Sequence, residues 1–132
     1  MMRGHALIAL AALSLGLAVA AGAFAAHGLK AHLSLEAMAW WQTAVQYQVL
    51  HGLALLGLGL YQQQLAPPAL ARSGKIAWAM LLGMALFSGS LYLLALSGQR
   101  WLGMITPLGG TAFLFGWGYW AWLAWQQARV RS

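Results

Sequence analysis

Two kinds of residue are nearly missing from this 132-residue chain: there is no cysteine, and Glu36 is the only acidic side chain. The first absence excludes disulfides, thiolate metal ligands and thiol nucleophiles, and leaves the redox compartment open. The second removes the orienting acid that Ser–His chemistry needs. Glu36 lies about 22 Å along a helix from His51, so a catalytic triad on this chain is excluded. Charge of either sign is scarce: Asp, Glu, Lys and Arg make up 6% of the residues, against about 25% in soluble domains. So few polar side chains cannot cover a water-facing surface.

In their place stand four long apolar blocks, roughly 6–26, 36–61, 76–96 and 107–125. Each is near or above the ~20 residues that cross a ~30 Å hydrocarbon core. The longest connector, Gln62–Lys75, leaves no room for a soluble domain, so residues 1–132 read as one membrane domain. Arg3, the apolar stretch after it and Ala18-Val19-Ala20 imitate a secretory leader. That stretch exceeds a usual leader core, and the later blocks would pack against it, so it is expected to stay as a span. The seven Lys and Arg are scattered near block ends, not gathered into a patch, which excludes nucleic acid as a partner. They read as topology signals. Arg3, Arg72, Lys75, Arg129 and Arg131 fall on one side, Lys30 and Arg100 on the other, which predicts both termini in the cytoplasm. Trp40, Trp41 and Trp101 would then mark the outer interface, and Trp78, Trp122 and Trp125 the inner one.

Local signals divide the blocks into helices. Ala9, Ala12, Gly16, Ala20 and Ala23 form a small-residue stripe suited to close packing in the first block; Gly109, Ala112 and Gly116 form one in the fourth. Gly28 is placed for a left-handed cap, as is Gly98. Ser34 is an expected N-cap with Glu36 in the first turn behind it. Gln62-Gln63-Gln64 and Pro67-Pro68 are expected to break helix through Lys75, and Thr106-Pro107 reads as N-cap plus first helical residue. Short connectors make consecutive helices antiparallel neighbours. The expected fold is all-α: a four-helix transmembrane bundle running up, down, up, down.

The second block carries the feature most suggestive of function. Glu36, Trp40, Thr43, Tyr47 and His51 recur at steps of four, three, four and four, which places them on one helical face. Polar groups in a membrane face a bundle interior, a partner or a wet cavity. The candidate site is therefore a polar seam between the second and third helices: Thr43, Gln46, Tyr47 and His51 with Ser88 and Tyr92. His51 has two readings, a packing histidine bonded to a carbonyl or a third-helix hydroxyl, and a proton- or ligand-handling group. Ser88, Gly89 and Ser90 read as packing devices. His27, His32, Glu36 and Arg100 form an expected polar cluster on the outer surface. Its spacing matches no metal signature, and two haem ligands at matched depth are lacking, so neither metal nor cofactor is predicted.

Four ordered motifs carry a resemblance. Gly22-Ala23-Phe24-Ala25-Ala26-His27-Gly28-Leu29-Lys30 is similar to a GAFGAHGL signature, with Ala25 in place of a glycine. Thr43 to His51 is similar to TxxxYQxxH, Leu86 to Tyr92 to LFSGSLY, and Thr106 to Gly110 to TPxGG. Together they resemble the YgdD-like family of small membrane proteins, a domain of unknown function. The resemblance implies a four-span protein of bacterial inner membranes, with relatives in mitochondria and no established molecular activity. The expected function is a non-enzymatic binding or accessory protein, in contact with the lipid bilayer and with a membrane-protein partner or a second copy of itself. An oligomeric channel or carrier is the alternative reading, and an intramembrane enzyme the third.

Overall fold

The computed structural model describes residues 3–132. Four helices follow one another: α1 (Gly4–Phe24), α2 (Leu35–Gln62), α3 (Pro67–Ser97) and α4 (Thr106–Arg131). No strand occurs among the described residues. A π-helical turn, Ala25–Leu29, prolongs α1, and a 3-10 turn, Arg100–Met104, leads into α4.

The helix boundaries have local causes, and three differ from expectation. Ser34 caps α2 as anticipated, its Oγ accepting from the Ala37 N–H at 3.1 Å. Gly98 ends α3 with φ 70°, the one positive φ among the described residues. The expected Gly28 cap is absent: Gly28 sits inside the π-turn with no left-handed φ. Pro67-Pro68 start α3 where a breaker was expected, because proline's missing N–H is free of cost in a first turn. Arg72 and Lys75 therefore lie within a 31-residue helix. At the start of α4, Ile105 occupies the cap position and Thr106 is already helical. The Thr106 hydroxyl instead meets Ser90 Oγ at 2.6 Å.

The helices are antiparallel in series. Gly4 lies against Gly59, and Gly22 against Val45, pairing α1 with α2. Gln62 bonds Ser73 while Ala44 is met by Ser88, pairing α2 with α3. Gly83 lies against Phe113, and Arg72 bonds Gln126, pairing α3 with α4. α2 and α3 form the central pair, with α1 packed on α2 and α4 on α3. The core is Leu7, Ala11, Leu55, Leu58, Ile76, Met80, Phe113 and Leu123.

Two close approaches depend on glycine. A Cβ at Gly59 would stand 2.7 Å from the Gly4 carbonyl oxygen, and one at Gly109 would run into the backbone of Phe87. Gly109 and Gly116 are buried, as the α4 stripe predicted. The α1 stripe is corrected: Ala9, Ala12, Gly16, Ala20 and Ala23 are all exposed. The buried face of α1 is Gly4, Leu7, Ala11 and Ala18. That face is also rich in small residues, and α2 selects it: Gly4 meets Gly59, and Leu15 and Ile8 enter beside Gly52 and Gly59.

Trp41 faces into the bundle: it is buried, and its Nε1 donates to the Ala21 carbonyl at 3.0 Å. Elsewhere the outward face is densely apolar: Leu17, Val19, Trp78, Leu82, Leu93, Leu114 and Phe115 are all more than half exposed. Contiguous apolar surface on that scale is foreign to a soluble monomer. α1 with its π-turn, and α3, are each long and apolar enough to cross a membrane.

Gly109→Leu is expected to cost about 1–3 kcal/mol by overpacking, seen as a lower thermal unfolding midpoint in detergent. Gly16→Leu is expected to change stability by no more than about 0.5 kcal/mol, since a Cβ there meets nothing within 4 Å. Equal destabilisation by both would refute the assigned face of α1.

Candidate functional site

A chain of hydrogen bonds ties α1, α2 and α3 together. The Tyr92 hydroxyl of α3 donates to Gln48 Oε1 of α2 at 2.7 Å. Gln48 Nε2 in turn donates to the Ser14 carbonyl of α1 at 2.8 Å, and Ser14 Oγ lies 3.9 Å from Met84 Sδ. Beside it Ser88 Oγ donates to the Ala44 carbonyl at 2.8 Å. One amide, Gln48, therefore serves as acceptor toward α3 and donor toward α1. Nearer the Pro67 end of α3, buried Gln62 donates through Nε2 to Ser73 Oγ at 2.9 Å, while its Oε1 is buried with no partner among the described residues.

A second polar group sits one turn further along α2. His51 is 4% exposed. Its Nδ1 is 2.9 Å from the Tyr47 carbonyl oxygen, and Trp117 Nε1 of α4 donates to its Nε2 at 3.1 Å. A carbonyl only accepts and an indole N–H only donates. The geometry therefore assigns the neutral ring with its proton on Nδ1. The ring is stacked on Phe113 with centroids 3.4 Å apart and planes 10° from parallel. The Tyr47 ring lies against Phe87 at 4.2 Å. Between α2 and α4 these rings line a cleft of about 420 Å³ whose wall also includes Pro107, Gly110, Thr111 and Leu114.

The structure sorts the expected site residues. His51 and Ser88 are buried, and Tyr47 and Tyr92 half-buried. Gln46 is exposed and points away from the seam. Thr43 is half-buried and makes no side-chain hydrogen bond among the described residues. Of the two partners open to a packing His51, the structure gives the backbone carbonyl, that of Tyr47, and not a third-helix hydroxyl; its other partner is Trp117, on α4. The residue the sequence reading missed is Gln48, although it stands within the second motif. Its signal was the buried set Ala44, His51 and Leu55, whose helical spacing includes position 48. In the outer cluster Arg100 pairs with Glu36 at 3.4 Å, while exposed His27 and His32 join neither.

A family model described as "Protein of unknown function (DUF423)" matches residues 21–110. The chain belongs to the DUF423 family. A UPF0382 membrane protein of Staphylococcus saprophyticus is 42% identical over 110 residues, covering 83% of this chain and 88% of its own. The UPF0382 inner membrane protein YgdD of Escherichia coli is 41% identical over 119 residues, covering 88% and 86%. The UPF0382 membrane protein YwdK of Bacillus subtilis is 40% identical over 110 residues, covering 83% and 88%. No solved structure matches. This DUF423 chain is thus an integral membrane protein, as its composition requires. The matched stretch holds all four motifs, the π-turn, Gln48 and His51; Ser14 and Trp117, which complete the bonding, lie outside it.

In this DUF423 protein, Gln48→Leu is expected to leave the Tyr92 hydroxyl without an acceptor and to lower stability by about 1–2 kcal/mol. Adding Tyr92→Phe should recover part of that loss, with a coupling of about 0.6–1.7 kcal/mol between the two sites. Strictly additive effects in detergent unfolding would show that the bond contributes nothing.

Proposed function

We propose that this DUF423 member is a four-span protein of the bacterial inner membrane that binds, without chemically altering it, a flat hydrophobic molecule in the cleft between α2 and α4. Four spans are supported by the antiparallel series of helices, each with an apolar outward face. α2 is less apolar than α1 because it carries several polar residues, of which His51 and Gln62 are buried in the bundle and Gln48 half-buried. α4 owes its lower hydropathy to its Trp, Tyr and Gly residues. Both termini lie in the cytoplasm on this reading, with Arg3, Arg72, Lys75, Arg129 and Arg131 at that end. A reporter fused at the C-terminus should be active only in the cytoplasm, and a tag inserted next to Lys30 should be reachable only from outside. The reverse pattern would overturn the orientation.

The observation that carries the binding role is the lining of the cleft. Tyr47, His51, Phe87, Phe113 and Trp117 line a cleft of about 420 Å³. Ring-lined pockets of a few hundred Å³ suit small planar ligands. His51, Trp117 and Thr111 already have partners. The Tyr47 hydroxyl has none among the described residues, so it is the donor on offer to a ligand carbonyl.

A non-enzymatic role has support from the same bonds. Both nitrogens of His51 are engaged, Ser88 and Ser90 donate to the backbone carbonyls of Ala44 and Phe87, and the only carboxylate side chain is held at the far end by Arg100. Among the described residues no serine or threonine hydroxyl bonds a histidine or carboxylate base. The channel reading has less support, because the seam's polar groups bond one another and do not line a path.

A short-chain quinone titrated into the purified protein in nanodiscs tests the proposal. Tryptophan fluorescence should be quenched saturably, and the quenching should weaken several-fold in Tyr47→Phe and in Trp117→Phe. Non-saturable quenching, equal in both variants, would remove the cleft as a binding site.

A further inference from the structure

A second concavity lies between α3 and α4, meeting the first at Thr111, and is larger: about 740 Å³. Its walls are Trp78, Leu82, Leu108, Ala112 and Phe115, with Lys75 at one end. Lys75 is exposed, and its Nζ stands 5.7 Å from the centre of the Tyr119 ring. We propose that this groove holds one acyl chain of an anionic phospholipid from the cytoplasmic leaflet, with the headgroup phosphate on Lys75. The proposal rests on the four-span reading above, which the topology reporters test separately, and is independent of the ligand in the α2–α4 cleft.

Three observations select this occupant. The first is charge. Glu36 is the only carboxylate side chain and is paired with Arg100 at the other end of the molecule. Arg72 is bonded to Gln126 and Arg129 is stacked over Trp125, both uncharged partners. Lys75 therefore has no carboxylate side chain to neutralise it, and a basic pocket between spans at the cytoplasmic surface suits an anionic headgroup. The second is length. The run Ile76–Gln99 is uncharged, so its middle, near Phe87, marks the bilayer centre. Gly109, the neighbour of Leu108, packs on Phe87. The groove thus runs from Lys75 to the level of Phe87, about 18 Å along the helix. One leaflet of a ~30 Å hydrocarbon core is about 15 Å deep. The third is lining: apart from Lys75 and Thr111 every wall is apolar, and the Thr111 hydroxyl is satisfied by the Pro107 carbonyl. A hydrocarbon tail leaves no polar group wanting in such a groove.

Native mass spectrometry on the full chain, with phosphatidylglycerol or phosphatidylcholine of identical acyl chains added in detergent, tests this. One phosphatidylglycerol should be retained at least five-fold more tightly than phosphatidylcholine. Lys75→Gln should erase that preference. Ala112→Phe, which fills the groove, should weaken both lipids, and Arg131→Gln, at the same end but off the groove, should change neither. If the Ala112 variant fails to fold, Leu82→Trp replaces it. Equal retention of the two lipids, equal losses in the Lys75 and Arg131 variants, or no loss on filling the groove would each overturn the proposal. So would a second copy of the chain in place of lipid, if it disappeared when the groove was filled.

Discussion

In hydrocarbon a polar group has no solvent to fall back on, so each one must find its partner within the protein or cost several kcal/mol. That constraint organises the centre of this molecule. Gln48 is placed so that its two amide ends satisfy different helices, accepting from Tyr92 and donating to Ser14. His51 is satisfied on both nitrogens, which settles its tautomer and its distance from α4. Ser88 spends its proton on the carbonyl of Ala44 and thereby sets the register of α3 on α2. Side chains that would weaken an isolated apolar helix are what join one helix to the next.

Much of this was legible in the sequence, and the misses have physical causes. The apolar blocks, the Ser34 cap, the Gly98 stop and the close-packing glycines of α4 are local signals whose outcome needs no partner. The failures occur where a partner decides. Small residues occur all round α1, so size alone does not mark the buried face; the places where Gly52 and Gly59 of α2 admit Leu15 and Ile8 do. Pro67-Pro68 carries no direction in sequence: the same pair ends one helix or begins another, and here it begins α3. Gln46 and Gln48 are chemically identical two positions apart, yet about 200° apart around the helix. Only the position of α1 and α3 tells them apart. Tryptophan's preference for interfacial depth says nothing of which way Trp41 faces; the Ala21 carbonyl beside the π-turn draws its N–H into the bundle.

Charge is organised as economically as polarity. The single carboxylate side chain is used to hold Arg100 near the start of α2, leaving the other end with an unbalanced set of cations. On the proposed topology that imbalance orients the chain during insertion, and it persists as a field with no internal counter-charge.

The glycine contacts are not spread evenly. Gly4 with Gly59, and Gly52 with Leu15, lie between α1 and α2; Gly83, Gly109 and Gly116 lie between α3 and α4. Between α2 and α3 the cross-links are side-chain hydrogen bonds instead: Ser88, Tyr92 and Gln62. The molecule is therefore two close-packed hairpins held together by a layer of directional bonds. As the chain emerges from the ribosome, the first hairpin can close on itself while the second is still unmade. The junction between the two halves, α2 on α3, can form before α4 is made. It is also where a lasting change in the angle between them would require the fewest backbone contacts to break.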